Sequence, residues 1–224
     1  MCGRFTLTVD PTQLEDIFPW AVIMHDLVPR YNISPSQPVA AIPNTPEYQM
    51  EYFRWGLIPA WAKDPSIGNR MINARAETLA EKPSFKTALK KRRCLIPADG
   101  FYEWKLSPEG KTKTPYYIRL SSGRAFALAG LWDTWSAPDG SQIKTCTIIT
   151  TLPNSLISPI HNRMPVILPQ ESYRQWLEPG EVNPSIVNQL LTSYPANQME
   201  AYAVSREVND PKNDNPSLVS RSQN

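Results

Sequence analysis

The chain has 224 residues, of which 41% are hydrophobic, and this composition predicts one globular domain rather than a disordered chain. The formal net charge is only +2, so whole-molecule charge predicts no anionic partner, and any basic surface has to be local. The three cysteines are an odd number without a Cys-x-x-Cys pair, which excludes a disulfide framework and a cysteine-rich zinc site.

The first predicted element is a short helix that begins after Asp10. Asp10 can cap this helix, Pro11 suits its first turn, and apolar residues at helical spacing supply its buried face. The proline-punctuated stretch 29–44 is predicted to be a loop with brief extended pieces. Residues 49–58 are then predicted to form a strand that enters a turn at Pro59.

The middle of the chain is predicted to contain one more helix and a series of strands. Ser84 is a plausible cap for the helix, and the basic run 90–93 at its end complements the helix dipole. Alternating and β-branched residues predict strands at 116–120, 125–135 and 144–151. Short Ser-Ser-Gly and Pro-Asp-Gly turns join these strands, so we expect antiparallel pairing.

The last third of the chain completes the predicted fold. Helices are predicted at 170–177 and 184–192, and the composition of 208–224 predicts disorder. There are no repeats and no clear linker, so residues 1–224 are predicted to form a single domain. The fold class is α+β, with a mainly antiparallel, barrel-like sheet flanked by short helices.

Cys2 has the sharpest chemical signal in the sequence. A small residue at position 2 permits removal of Met1, which would leave an α-amine and a thiol on adjacent carbons. The amine can condense with an aldehyde to a Schiff base, and the thiol can then close a five-membered thiazolidine ring. An internal cysteine cannot do this, because its nitrogen belongs to a peptide bond. Taken alone, Cys2 is more readily explained as an inert chain terminus.

Cations and polar residues near Cys2 and in 72–78 are the next candidates. Arg4, two positions from Cys2, would favour the thiolate and could hold a phosphate. Asn73, Arg75 and Glu77 would share one face of a strand, although such alternation is also ordinary on a solvated strand.

Glu103 and His161 are candidates for proton transfer. Glu103 lies among aromatic residues, which favours a raised pKa, and the competing interpretation is an exposed glutamate on an aromatic strand. His161 lies in a proline-bounded loop beside Arg163, whereas His25 is interpreted as structural or incidental. Trp61, after a Pro-Ala turn, could stack on a base.

Nine stretches of the chain, in order from residue 1 to about 205, carry a close resemblance to a known family. They are Met1–Phe5, Tyr31–Pro35, Trp55–Trp61, Asn73–Thr78, Arg93–Pro97, Gly100–Trp104, Gly130–Trp132, His161–Val166 and Val204–Ser205. The sequence thereby resembles the SOS response-associated peptidase, or abasic-site processing, family of bacterial type.

The resemblance implies a single α+β domain with a curved, largely antiparallel β core and with its N-terminus buried at a DNA-binding cleft. It implies that abasic sites in single-stranded DNA react with Cys2 to form a thiazolidine. The implied catalytic residues are Cys2, Asn73, Glu103 and His161. The implied DNA-binding residues are Arg4, Arg75 and Arg163 for phosphates, and Asn32, Pro35 and Trp61 along the path of the strand.

Two features of the chain bear on this resemblance. Asn162 stands where relatives often carry Asp, which affects how His161 is oriented. Residues 208–218 resemble a segment that packs back on the domain, in contrast to the disorder that their composition predicts.

Two other classes of function stay open at this stage. The chain could be a cysteine peptidase or amidohydrolase in which Cys2 attacks an amide, including its own, with Glu103 or His161 as base. It could also be a non-covalent reader of modified bases, which would not need the thiol. For any of these we predict a monomer without cofactor, metal or membrane partner. Because the N-terminus lacks the apolar core of a signal peptide, we predict a cytoplasmic, nucleoid-associated protein, or a nuclear one in a eukaryote. Lyase cleavage at the abasic site is a further predicted activity.

Overall fold

The structure is a computed structural model that describes residues 2–222. Within these residues the strands are β1 Phe5–Leu7, β2 Arg30–Ile33, β3 Pro38–Pro43, β4 Glu51–Trp55, β5 Asn73–Arg75, β6 Arg93–Ala98, β7 Gly100–Leu106, β8 Lys113–Leu120, β9 Phe126–Ser136, β10 Gln142–Thr151, β11 Met164–Pro165, β12 Ile167–Leu168 and β13 Met199–Ala203. The α-helices are α1 Pro11–Ile17, α2 Pro83–Lys91, α3 Tyr173–Trp176 and α4 Pro184–Asn188. None of them is long and apolar enough to cross a membrane.

Five strands close into a barrel in the order β10-β4-β3-β6-β9, with β9 pairing again with β10. All of these pairs are antiparallel except β10 with β4, which run parallel with Thr145 opposite Arg54. β5 also pairs with β10 in parallel, so that Asn73 lies opposite Ile148. The predicted α+β fold with a largely antiparallel, barrel-like core is confirmed, and the parallel closure is a feature that the local pattern did not indicate.

A second, antiparallel sheet has the order β13-β8-β7-β1-β2 and packs beside the barrel. Phe5 of β1 contacts Trp55 of the barrel, with ring centroids 5.2 Å apart in an edge-to-face arrangement. Phe101 of β7 lies opposite Phe5, and both side chains are buried in the main core. β1 thus belongs to the second sheet and faces the barrel through Phe5, so Cys2, three residues earlier, lies near the place where the two sheets pack.

Local signals predicted some element ends correctly and others incorrectly. Asp10 caps α1 in a capping box with Gln13, as its side-chain chemistry predicts. The predicted cap at Ser84 is wrong, because the chain already turns helical at Pro83 and the N-cap position is Lys82, without a side-chain bond. The stretch 29–44 contains two paired strands rather than a loop, because β2 and β3 each find partners far along the chain.

Residues 205–222, here called the C-terminal strap, lie across the outer face of the second sheet. Val208 and Leu218 are fully buried against tyrosines of that sheet. The buried Asn32 donates hydrogen bonds from its side-chain amide to the carbonyls of Val208, Asp210 and Asn213. The disorder predicted from composition is therefore wrong for 208–222, and the packing implied by the resemblance is confirmed. Residues 223–224 lie outside the described part of the chain.

Candidate functional site

Cys2 is completely buried, and Asn73 holds its backbone in place. The Asn73 side-chain Nδ2 donates to the Cys2 carbonyl oxygen at 2.8 Å. Asn73 reaches this position because β5 pairs in parallel with β10 beside the N-terminal segment. Its Oδ1 atom is buried and accepts no hydrogen bond from residues 2–222, so this oxygen remains available for a further donor. Asn73 is thus placed to position Cys2 and one more group.

The Cys2 thiol is held in its neutral form. Burial raises its pKa far above the ordinary value, and the nearby charge of Glu103 raises it further. A backbone hydrogen bond from Arg4 lowers the thiol pKa, but burial outweighs it, and the predicted effect of the Arg4 charge stays a prediction. A reaction at this sulfur consequently needs a base that accepts the thiol proton.

Glu103 lies on β7 with only 2% of its side chain exposed, so the alternative of a solvent-exposed glutamate is wrong. Burial raises the pKa of Glu103 to about 7, because a carboxylate loses hydration in this pocket. Its Oε1 atom lies 3.8 Å from Nδ1 of His161. A carboxyl group with this pKa can donate and accept protons near neutral pH.

His161 lies in the loop before β11, as predicted, and its ring is oriented by the backbone. Nδ1 of His161 lies 3.1 Å from the Arg163 N–H and 3.2 Å from the Arg163 carbonyl oxygen, so it accepts from the first in one neutral tautomer and donates to the second in the other. Burial lowers the pKa of His161, which favours the neutral ring. The adjacent Asn162 is exposed, and the backbone contact of Arg163 orients the ring without it.

A cavity of 350 Å³ opens beside these residues. It is lined by Glu103, Trp104, Lys113, His161 and Asn209. The predicted proton-transfer residues thus meet in one cleft, although they are 58 positions apart in the numbering. Lys113 and Asn209 were not predicted, since an exposed lysine and an asparagine in a polar tail carry no local signal.

Arg4 and Asn32 bind the C-terminal strap in this structure. Arg4 Nη1 donates to Asn32 Oδ1 at 2.6 Å and to the Val208 carbonyl at 2.7 Å. Asn32 is fully buried, and its amide nitrogen is used by the strap as described above. These contacts give both residues a structural role, and their predicted contacts with DNA stay predictions.

Arg163 is held by an ion pair that the sequence pattern did not indicate. Its Nη1 and Nη2 atoms donate to the two carboxylate oxygens of Glu77 at 2.8 and 2.9 Å, and Nη2 also donates to the Thr150 carbonyl at 2.6 Å. Glu77 is able to do this because the strand ends at Arg75 and a tight turn follows. Arg75 itself is exposed.

The two remaining candidates, Trp61 and Pro35, are not among the residues that line the cleft. Trp61 is 63% exposed, in the segment that follows β4. Pro35 is half-buried in the turn between β2 and β3, next to Ser36, whose φ is 70°. Their predicted contacts with a DNA strand stay predictions.

A metal site in the described part of the chain would need several side chains that can bind the ion together. Residues 2–222 contain no group of three or more His, Cys, Asp or Glu side chains that could hold a metal ion. The cleft presents the carboxyl of Glu103 and the imidazole of His161, and the buried Cys2 thiol lies within the electrostatic reach of Glu103. Together they define a class of protein in which a buried cysteine near the N-terminus lies beside an acid–base pair.

The family of the chain follows from its similarity to known proteins. Residues 1–211 match the family model described as SOS response associated peptidase (SRAP), and the chain belongs to this family. It is similar to the abasic site processing protein YoqW of Bacillus subtilis (strain 168), with 50% identity over 226 residues that cover 98% of this chain and 99% of that protein. It is also similar to the abasic site processing protein HMCES of Rattus norvegicus, with 34% identity over 195 residues, 74% of this chain and 55% of that protein.

Solved structures support the same family fold. A protein from Bacteroides thetaiotaomicron has a TM-score of 0.89 to this structure at 29% identity, covering 99% of this chain and all of that one. A protein from Bordetella bronchiseptica has a TM-score of 0.78 at 28% identity, covering 91% of this chain and 100% of that one. The barrel and the second sheet are thus shared well beyond close sequence similarity.

Proposed function

We propose that this protein binds abasic sites in single-stranded DNA and, once Met1 is removed, crosslinks to them through Cys2. The proposal is supported by a chain of contacts in which Asn73 binds the Cys2 carbonyl, the charge of Glu103 acts on the Cys2 thiol, and His161 lies 3.8 Å from Glu103 at the cleft. The printed names of the relatives, abasic site processing proteins, agree with this substrate.

The first chemical step is condensation of the Cys2 α-amine with the open-chain aldehyde of the abasic sugar. The amine adds to the carbonyl carbon, and the resulting carbinolamine loses water to form a Schiff base. Glu103, with a pKa of about 7, can supply the proton that leaves with this water. His161, whose lowered pKa favours the neutral ring, can donate a hydrogen bond to the sugar oxygen as the ring opens in the tautomer that carries its proton on Nε2.

The second step is addition of the Cys2 thiol to the imine carbon. The sulfur forms a C–S bond to the carbon of the protonated Schiff base, the π electron pair of the C=N bond moves to nitrogen, and the thiol proton passes to the Glu103 carboxylate. The product is a thiazolidine, and the only net loss is one water. The neutral thiol that burial maintains makes a neighbouring base necessary, and Glu103 is close enough to raise the thiol pKa.

The Schiff base can also undergo elimination, which would cut the strand 3′ to the lesion. Ring closure competes with this lyase reaction, because it removes the imine that acts as the electron sink. A tethered thiol has an effective concentration of about 10⁵–10⁸ M when it is well aligned. We therefore propose that crosslinking dominates and that strand cleavage is a minor reaction.

Mass spectrometry of the conjugate tests the proposal directly. The protein is incubated with a synthetic single strand that carries one abasic site, and the intact conjugate is weighed. The expected mass is that of the chain without Met1 plus the oligonucleotide minus one water, and the Cys2 thiol is expected to resist alkylation. A conjugate that retains Met1, or an alkylatable Cys2, would contradict thiazolidine formation. Release of a peptide fragment beyond Met1 would favour the cysteine peptidase instead.

The ion pair between Glu77 and Arg163 gives a second prediction, on affinity for DNA. If Arg163 holds a phosphate, Glu77 competes for the same guanidinium, so Glu77→Gln is expected to strengthen binding to intact single-stranded DNA about 3- to 10-fold at low salt. The dependence of log K on log salt should steepen by about 0.7, one phosphate contact. Fluorescence anisotropy with a labelled strand measures both quantities. Unchanged affinity and slope would remove Arg163 from the proposed phosphate contacts.

A further inference from the structure

The cleft extends past the residues that the proposed reaction uses. Besides Glu103 and His161, the 350 Å³ cavity is lined by Trp104, Lys113 and Asn209. A cavity of this size exceeds by far the space that one water needs, so it can take a group larger than a solvent molecule.

The strand register brings Lys113 to the side of Trp104. In the antiparallel β7–β8 pair, Trp104 lies opposite Pro115 and Leu106 lies opposite Lys113. Residues that are opposite or two apart project from the same face of such a pair, so Lys113 is a diagonal neighbour of Trp104. Ion pairs among residues 2–222 engage several arginines and lysines, and Lys113 belongs to none of them. Its ammonium charge lies close enough to lower the pKa of both Glu103 and His161, which places a positive charge at the cleft outside any ion pair of the described residues.

Asn209 is held at the cleft by a defined hydrogen bond. The Trp104 indole Nε1–H donates to Asn209 Oδ1 at 2.8 Å. An indole N–H can only donate, so the amide oxygen is committed to Trp104 and the NH₂ group of Asn209 remains a free donor pair. The backbone next to Asn209 is fixed by the bonds from Arg4 and Asn32 to the Val208 carbonyl. An exposed side chain is thus presented in one orientation.

The chemistry of these two groups selects the ligand. The Lys113 ammonium and the Asn209 NH₂ group offer only donors, and a phosphate accepts hydrogen bonds and also carries the negative charge that neutral base edges lack. Donors next to a free positive charge suit a phosphate oxygen. We infer that Lys113 and Asn209 form a phosphate subsite for the backbone linkage adjoining the abasic residue, an inference that rests on the proposed function.

The salt dependence of binding tests the charge of this subsite. Lys113→Met keeps the aliphatic stem and removes the ammonium, and Lys111→Met, at an exposed position in the turn before β8, is the matched control. With intact single-stranded DNA, Lys113→Met should lower the slope of log K against log salt by about 0.7, and Lys111→Met should leave it unchanged. Equal slopes for the two variants would overturn the subsite.

Asn209→Asp tests the amide separately. Aspartate retains an oxygen that accepts from Trp104, and it replaces the NH₂ donors by a negative oxygen. Binding of intact single-stranded DNA should weaken about tenfold, as expected for the loss of a hydrogen bond to a charged group. Unchanged affinity would remove Asn209 from the subsite even if Lys113 contributes.

A backbone scan locates the phosphate. Synthetic abasic strands are prepared with one uncharged methylphosphonate at each linkage in turn. The parent protein should crosslink about tenfold more slowly when the linkage beside the lesion is neutral, and Lys113→Met should show no further loss at that linkage alone. Additive losses at every linkage would overturn the assignment. Failure of the parent protein to crosslink any abasic strand would instead contradict the proposed function, while the salt slopes on intact DNA still decide the phosphate subsite.

Discussion

Replacing Cys2 with serine is expected to abolish the denaturant-stable conjugate with abasic single-stranded DNA. Serine keeps the α-amine after Met1 is removed, so a reversible Schiff base can still form, but no thiol remains to close the ring. Because a tethered thiol acts at a very high effective concentration, the yield of conjugate on a denaturing gel should fall at least about 100-fold. Undiminished conjugate with Cys2→Ser would rule out the thiazolidine.

Three controls separate this chemical loss from a loss of folding or binding. Cys2→Ser should bind intact single-stranded DNA as the parent does, because none of the proposed phosphate contacts involves the sulfur. Borohydride should trap its Schiff base, and strand cleavage should rise because ring closure no longer competes. Insertion of one glycine between Met1 and Cys2 keeps the thiol and moves the amine, and it should also abolish the conjugate. A reader of modified bases would be indifferent to all of these changes.

Local sequence signals were sufficient for much of the fold. The three strands from 113 to 151 follow one another through short turns, so alternation of side chains within each strand and the turn residues predict them together. The parallel pair of β10 with β4 could not be predicted in this way, because it joins segments about 90 residues apart. The residue pattern within each strand does not indicate which distant strand it pairs with. Barrel closure is a property of the assembled sheet.

The strap shows how a distant partner overrides composition. Residues 208–222 are polar, and polarity normally means that a segment cannot bury enough apolar surface to become ordered. Here the side chain of Asn32, 176 positions before Val208, satisfies backbone carbonyls of the strap, and Val208 and Leu218 supply the buried contacts. No residue pattern within 208–222 indicates that Asn32 is the partner of this segment.

The candidate site was predicted by residue type and corrected by geometry. Cys2, Glu103 and His161 were identified from their chemistry, and the structure brings Glu103 and His161 to one cleft beside Cys2. The pairing of Arg163 with Glu77 spans 86 positions and had no signal in the sequence. The chemistry that a single side chain can perform is predicted from its residue type. Which charged residues pair with each other depends on the folded structure.

Replacing Glu103 with glutamine is expected to slow crosslinking about 10²–10⁴-fold, the usual contribution of a positioned acid–base group. Glutamine can neither supply a proton for loss of water from the carbinolamine nor accept the proton of the Cys2 thiol. The parent rate should change around pH 7, where Glu103 titrates, and the variant should lose that change. Glu109→Gln, at an exposed position in the turn between β7 and β8, is the matched control and should retain the parent profile.

Glu103→Gln is expected to slow crosslinking and, at pH 8, to stabilise the fold relative to pH 5. Measuring both effects separates lost proton transfer from unfolding. The pKa of Glu103 rises from 4.5 to about 7 on folding, so its favourable contribution to folding is complete below about pH 4.5 and is lost as the pH rises through 7. At about 1.4 kcal/mol per pKa unit, the parent loses on the order of 3 kcal/mol between these limits. Glu103→Gln removes this loss, so relative to the parent it should melt higher at pH 8 than at pH 5. A variant that is slower and relatively more stable at pH 8 assigns the slow rate to lost proton transfer, whereas a slow rate with an equal loss of stability at both pH values would assign it to disrupted packing.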